Sequence, residues 1–489
     1  MASPSKRYLS LCALKVQESL ILSDLFWIET MNFQLLKDAI AGKEQDFTKL
    51  SLKTAIFVLA VPMILEMMME SLFAVVDIFF VAKLGEKAIA TVGLTESVIV
   101  LVYAVGFGIS MAATALISRR FGEKDYHQAG SLAFQLLLVG GAISLIFSVL
   151  GIFFASDILL LMGAEEEVII TGSRFTQIIF AGNAAILLLF LINGAFRGAG
   201  QAHHAMRSLW IANGFNIILD PLLIFGLGSF DGFGLEGAAW ATTVGRGTGV
   251  LYQLYHLFNG KHRLQITAAN LIVKWKTIRK IMDIALGGMG QFLIDSVSWV
   301  ALTRMNAEFG STALAGYTIA MRVLIFTILP AWGISGAAAT LVGQNLGAKE
   351  VGRAEESVWL TAKYCMIFMA SVTGIYLFYS DELAGIFTDN LEVRDIAAQG
   401  LWVIALGYVF FAIGMVLTQA FNGAGDTKTP AWINVAVLLA FEIPLAWVLA
   451  FTFDLKYLGI FIAIAIAHSL HAVVAYVFFK KGNWKRIAV

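Results

Sequence analysis

From about Thr54 onward the chain is one apolar stretch after another, each long enough to cross a bilayer and set off by short turns rich in Gly, Asp and Lys. A spanning helix needs about 20 mainly apolar residues, and its backbone polar groups must be satisfied within the segment. By hydropathy the stretches fall at residues 54–82, 92–118, 130–154, 170–196, 206–227, 234–258, 279–305, 313–342, 357–379, 397–421, 431–452 and 457–479. The pattern predicts an all-α integral membrane protein with twelve transmembrane helices. Composition agrees, since 59% of residues are hydrophobic and 14% charged, against about 45–50% and 25% in soluble domains. Lys+Arg and Asp+Glu number 34 each, and a net charge of zero argues against a nucleic-acid partner. The two cysteines, Cys12 and Cys365, make no disulfide framework, CxxC redox pair or zinc site.

Charge in the connections sets the orientation. Arg119, Arg120, Lys124, Arg197, Arg207, Lys261, Arg263, Lys274, Lys276, Arg279, Lys280, Lys349, Arg353, Lys428, Lys480, Lys481, Lys485 and Arg486 fall in every second connection and the C-terminal tail. The alternate connections hold only Lys83, Lys87, Arg394 and Lys456, with the acidic stretch at 163–167 and Asp381-Glu382. The positive-inside rule makes the basic side cytoplasmic and, with an even number of spans, both termini cytoplasmic. In the first 22 residues, Lys15, Gln17 and Glu18 break any apolar core long enough for a signal peptide. An amphipathic lead-in begins at Met31, so Met31 is expected to be the natural start and residues 1–30 dispensable.

The sequence matches itself at a constant shift of 225 residues: Gly85, Ala88 and Ala90 recur as Gly310, Ala313 and Ala315; Gly108-Ile-Ser110 as Gly333-Ile-Ser335; Gly122 and Lys124 as Gly347 and Lys349; and Phe196-Arg-Gly-Ala-Gly200 as Phe421-Asn-Gly-Ala-Gly425. Two six-helix lobes follow, running in the same direction through the membrane and related by a pseudo-two-fold along its normal. The expected division is a cytoplasmic extension over 1–50, an N-lobe over 51–258, a cytoplasmic linker over 259–280, a C-lobe over 281–480 and a cytoplasmic tail over 481–489. The amphipathic stretch 271–278 within the linker is expected to lie at the membrane interface.

Charges inside spans cost about 2.5–3.5 kcal/mol on insertion scales, so each needs a partner or a task. Glu66, Glu70 and Asp77 share one face of the first span, and Asn213, Asn216 and Asp220 share one face of the fifth. Pro221 frees the carbonyl of Ile217, and the sixth span adds Thr242 and Thr243, able to coordinate a cation or to bond back to their helix. Oxygen donors of this kind suit Na+ or a proton better than a transition metal. In the second half Asp77 maps to Leu302 and Asp220 to Leu445, whereas Glu70 maps to Asp295 and Glu66 to Gln291. The coupling-ion site is therefore expected in the N-lobe, with Asp295 and Glu442 lining a cavity. Arg246 and Arg322 are either counter-ions or snorkel to an interface. His468 and His471, on one face of the last span without a nearby carboxylate motif, read as packing or headgroup residues. The methionines at 63 and 67–69 read as apolar filling. The Gly-Ala-Gly turns lack the Lys-Ser/Thr of a phosphate loop.

Several of these segments together resemble the multidrug and toxic compound extrusion (MATE) family: Arg197-Gly-Ala-Gly-Gln201, Asn422-Gly-Ala-Gly-Asp-Thr-Lys-Thr-Pro430, Ala338-Ala-Thr-Leu-Val-Gly-Gln-Asn-Leu-Gly347, Val75-Val-Asp77 and Asn216-Ile-Ile-Leu-Asp-Pro221. The resemblance covers about residues 50–482. It implies a two-lobed inner-membrane antiporter, not an enzyme, that exports amphipathic or cationic drugs in exchange for Na+ or H+ by alternating access. It assigns Asp77, Asn216, Asp220 and Thr242 to the N-lobe coupling-ion site, and Glu70 and Asn193 to the border of the cavity, which Glu66 and Asp295 would also line. The tenth span has no acid in Leu401–Tyr408, a departure from the NorM-type pattern that favours a DinF-like one. A monomer with no cofactor beyond the coupling ion is expected. The alternative within the superfamily is a flippase for a lipid-linked oligosaccharide, which would show a cavity lined by arginines for the pyrophosphate, whereas the deep charges here are mostly acidic. An intramembrane enzyme built on His468 and His471 and a passive channel are the rivals from other classes.

Overall fold

The computed structural model describes residues 33–229 and 231–487, and residues 1–30, expected to be dispensable, lie outside them. After a short helix α1 (Phe33–Ala41), the first lobe consists of α2 (Leu52–Ala82), α3 (Glu86–Gly122), α4 (Tyr126–Leu161), α5 (Glu166–Gly198), α6 (Ala202–Phe225) and α7 (Leu235–Phe258). The second consists of α8 (Trp275–Ala307), α9 (Ser311–Gly347), α10 (Val351–Gly385), the pair α11 (Leu391–Ala405) and α12 (Tyr408–Ala424), α13 (Lys428–Thr452) and α14 (Lys456–Lys481). At 37 residues each, α3 and α9 are about 55 Å long and project beyond the hydrocarbon core.

Among the described residues ten helices are individually long and apolar enough to span, and α11 with α12, bent by 60°, makes an eleventh. The twelfth, α7, falls short in hydropathy because it carries Glu236, Thr242, Thr243, Arg246 and Gln253. It packs along α6 and α5 in the place that α14 holds in the other lobe. Large apolar side chains such as Phe153, Leu161, Ile170, Val300 and Phe378 face outward, as befits helices whose solvent is lipid. Inside the second lobe Tyr317, Tyr376, Tyr408, Phe421 and Phe461 form a closed core.

The duplication reappears in the backbone, feature by feature, at the same shift. Gly85 and Gly310 precede α3 and α9 with φ of 97° and 96°. Lys124 and Lys349 both take the left-handed conformation uncommon outside glycine, with φ of 61° and 64°. Helices α4 and α10 kink at Phe154 and Tyr379, where φ/ψ leaves the helical region for −118°/18° and −130°/19°. Gly182 interrupts α5, and Gly407 stands in the break between α11 and α12. The lobes part company in α13, whose π-helical segments Val435–Glu442 and Val448–Thr452 have no counterpart in α6.

Contacts between the lobes obey the two-fold, with α2 on α9 and α8 on α3. A Cβ on Gly108 would lie 2.5 Å from Met289 Cγ, and one on Gly333 would lie 2.7 Å from Ile64 N; Ile64 and Met289 are themselves repeat partners. A residue that touches its own repeat partner must sit at the axis. The rings of Phe107 and Trp332 do so, with centroids 6.1 Å apart. Gly122 and Gly347 do so as well, a Cβ on Gly347 falling 3.0 Å from Gly122 Cα. These two pairs stand about 22 Å apart along α3 and α9, so the axis runs lengthwise with the helices, along the membrane normal.

Both terminal segments close over one end of the lobes. Arg207 donates to Ile40 O at the end of α1 (2.8 Å), and Arg353 donates to Phe47 O (3.1 Å) and Leu50 O. Beyond α14, Trp484 is fully buried against Phe479. Lys485 pairs with Glu355 (2.6 Å), and Arg119 donates to Ile487 O. Between the lobes, Gln135 of α4 donates to Ile272 O (2.8 Å) and accepts from Lys274 N (3.0 Å), leaving Leu271, Ile272, Val273 and Trp275 exposed.

Candidate functional site

The acid stripe of α2 is divided among three partners. Glu66, buried, accepts a hydrogen bond from Asn193 Nδ2 (3.0 Å) and forms an ion pair with Arg197 (3.6 Å), both on α5. Asn193 Oδ1 in turn accepts from Ser208 of α6 (3.1 Å) and from Gln253 of α7, and Arg197 donates to Ser110 Oγ of α3 (2.9 Å). This is a packed polar column. One turn along α2, Glu70 pairs with Arg246 of α7 at 3.1 Å, the guanidinium lying 4.7 Å from the Phe73 ring centroid. Arg246 is buried and so serves as the counter-ion of Glu70. Arg322 lines a recess with Thr318 and Phe387, away from these acids.

Asp77 is the third acid. It lies beside Thr242 and faces Asp220 of α6, with Arg246 further off. Asn216 sits one turn before Asp220 and donates to Asp220 Oδ1 (3.2 Å) and toward Thr242 Oγ1 (3.4 Å), locking the two helices in register. Neither Asp77 nor Asp220 has a Lys, Arg or His nitrogen within ion-pair distance among the described residues, unlike Glu66 and Glu70. Asn216 Oδ1 and Asp220 Oδ2 are buried acceptors with no donor. A donor set of carboxylate, amide and hydroxyl oxygens with orphaned acceptors fits a hard monovalent cation or a proton. Thr243, by contrast, packs against the break in α5, since a Cβ on Gly182 would lie 2.4 Å from its methyl.

Two residues of this neighbourhood went unread in the sequence. Glu96 of α3 faces Asp77, and Tyr103 lies beside Arg246 and Glu70. The signal for Glu96 was present: it is an acid inside a spanning segment, and such an acid marks a functional site by default.

At repeat-equivalent positions the second lobe lacks the two arginines, Asn422 standing for Arg197 and His471 for Arg246. Where Glu66 meets Arg197, Gln291 meets Asn422 in a reciprocal amide pair (3.0 and 3.2 Å). Where Glu70 meets Arg246, Asp295 accepts from Asn434 (2.8 Å), whose Oδ1 meets His471 Nε2 at 3.0 Å. His471 is thus part of a carboxylate network, a correction to its reading as a packing or headgroup residue; the carboxylate comes from another helix, which spacing along α14 could not reveal. His468 does pack, its ring 4.4 Å from that of Phe411. Glu442 accepts from Ser298 (2.7 Å).

Two six-helix lobes running in the same direction about a central axis, with carboxylates held deep inside the spans, define a membrane carrier. The MatE family pattern matches residues 62–222 and 289–448, once in each lobe. The chain belongs to the MatE family. It is 26% identical to the probable multidrug resistance protein NorM of Thermotoga maritima, over 94% of this chain and 98% of that one. It is 24% identical to the FAD transporter of Shewanella oneidensis, over 83% and 89%. A crystal structure of MATE in complex with MaL6 shares the fold, with a TM-score of 0.85 at 23% identity, covering 90% of this chain and 99% of that chain.

Proposed function

We propose that the protein is a secondary active efflux antiporter of the inner membrane, exporting amphipathic or cationic drugs in exchange for Na+ or H+ through an N-lobe coupling site. Its basic connections and both termini lie on the cytoplasmic side. The observation that carries the reading is the Asp77 and Asp220 pair, facing each other across α2 and α6 with no basic nitrogen within ion-pair distance among the described residues, Arg246 being engaged by Glu70. A bound proton or Na+ supplies the missing positive charge. Asn216 and Thr242 hold the two carboxylates in place, and Glu66 and Glu70 stay tied to their arginines throughout. With the pair unneutralised, the N-lobe attracts a cationic drug; with it neutralised, that attraction is lost and the drug departs outward. Pro62 in α2 and Pro221 in α6 interrupt the helical hydrogen bonds, so both helices can bend as the site changes charge.

A pyrophosphate-bearing lipid or a dinucleotide needs cationic groups to hold it. Arg197 and Arg246 are each committed to a glutamate, which favours the cationic substrate.

Export of a fluorescent cationic drug from proteoliposomes under an imposed Na+ gradient, and separately under a pH gradient, tests the proposal and selects the ion. Asp77→Asn and Asp220→Asn are each expected to reduce gradient-driven export about 100-fold, the scale on which losing one essential proton-transfer group is felt. Full export by either variant would overturn the assignment.

A further inference from the structure

Outside the acid cluster, one group of side chains has the makings of a second site. His204 at the start of α6, His256 in the last turn of α7 and His262 in the linker each offer a ring nitrogen, and the three atoms lie within 4.8 Å of one another. His256 Nδ1 and His262 Nε2 are 3.0 Å apart. The ring centroid of His204 lies 4.2 Å from that of His256 and 4.8 Å from that of His262. Tyr252 OH meets His204 Nδ1 at 3.1 Å, while His204 Nε2 is buried and has no partner. His204 itself is only 2% exposed. One carboxylate stands behind the cluster: Glu44 Oε1 is 3.9 Å from His262 Nδ1, held by Arg263 (3.0 Å) and by Gln201 (3.1 Å).

We propose that His204, His256 and His262 form a binding site for a divalent transition-metal ion of the zinc, cobalt and nickel class. Imidazole nitrogens suit these ions, and Na+ or Mg2+, which prefer oxygen, would pass it by. Four-coordinate zinc holds its nitrogens about 2.0–2.1 Å from the metal, hence about 3.3 Å from each other. The closest pair stands at 3.0 Å and the third nitrogen lies within 4.8 Å of both, so binding an ion requires the His204 ring and its neighbours to draw together. Three imidazoles leave the fourth position to water or to Glu44, and Tyr252 acts as the outer partner that orients a ligating ring. Hydrogen bonding within the cluster satisfies His256 and His262 without an ion, but it leaves the buried His204 nitrogen orphaned, and a metal gives that nitrogen a partner. The site joins the ends of α6 and α7 to the start of the inter-lobe linker, so an occupied site ties the linker to the first lobe. It is separate from Asp77 and Asp220 and does not depend on their assignment.

The test uses the full chain in detergent, its purification tag removed, titrated with Co2+ alone. The expected result is one Co2+ per chain, with the visible d–d absorption of cobalt bound by nitrogen in a four-coordinate site, displaced stoichiometrically by Zn2+. Zn2+ at 100 times its Kd is expected to raise the thermal midpoint, an effect of about 2.7 kcal/mol by mass action. His262→Asn, a change in a loop, and His256→Asn should each weaken Co2+ binding at least 10-fold, while Asp77→Asn leaves it unchanged. Should either histidine variant fail to fold, X-ray absorption of the cobalt-loaded parent chain decides the matter by showing or lacking about three imidazole ligands. Absence of saturable binding, or binding undiminished in folded His256→Asn or His262→Asn, would overturn the proposal.

Discussion

The pair Glu66 and Arg197 and its repeat counterpart Gln291 and Asn422 show one scaffold position filled in two ways, by an ion pair and by a neutral amide pair. Removing one partner of a buried ion pair costs about 3–5 kcal/mol, because the other charge is left uncompensated; replacing both by neutral groups need not cost anything. Glu66→Gln alone is therefore expected to lower the thermal midpoint in detergent clearly, by the equivalent of about 3 kcal/mol. The double change Glu66→Gln with Arg197→Asn, which installs the second lobe's own solution, should recover most of the loss. A double variant no more stable than the single one would mean that the column through Asn193, Ser208 and Gln253 requires the charge.

Among the elements, α3 and α9 set how closely the lobes can approach. At Gly122 a Cβ would fall 1.9 Å from Gln344 O, and at Gly347 it would fall 2.2 Å from Arg119 O. The obstacle in both cases is backbone, which cannot step aside as a side-chain end can. Gly122→Ala and Gly347→Ala should accordingly have matching effects, forcing the lobes apart at this end, lowering the thermal midpoint and slowing drug export in proteoliposomes. Gly141, inside α4 with open space around it, is the contrast. Gly141→Ala should be neutral or stabilising by about 0.5–1 kcal/mol, the helix preference of alanine over glycine. Unequal losses at Gly122 and Gly347 would show that the two-fold is broken during transport.

For the whole molecule, the segment from α1 to Leu50 bridges the lobes, because Arg207 of the first and Arg353 of the second both donate to its carbonyls. A chain beginning at Met31 keeps that bridge and is expected to insert and transport normally, whereas one lacking residues 33–50 should be less stable by thermal melt, because the half-buried Arg207 and Arg353 lose these carbonyl acceptors. The spans and the duplication were legible in the sequence because they depend on local quantities: apolar length and self-similarity at a constant shift. The same local periodicity placed Asp77 on one helical face and Asn216 with Asp220 on another. Partnership was not legible. The sequence could not say that Arg246 belongs to Glu70, that Glu96 faces Asp77 or that His471 reaches Asp295 through Asn434, since each of these contacts joins different helices. The convergence of His204, His256 and His262 was equally hidden, for no spacing along the chain brings them together. What the sequence by itself determined is the set of helices, because a chain must hide its backbone from lipid, and their two-fold relation, because the duplication is written into the residues themselves. Only the tertiary structure decided which intramembrane acids are paired with an arginine and which are not, because a counter-ion acts through distance in space and is indifferent to position along the chain.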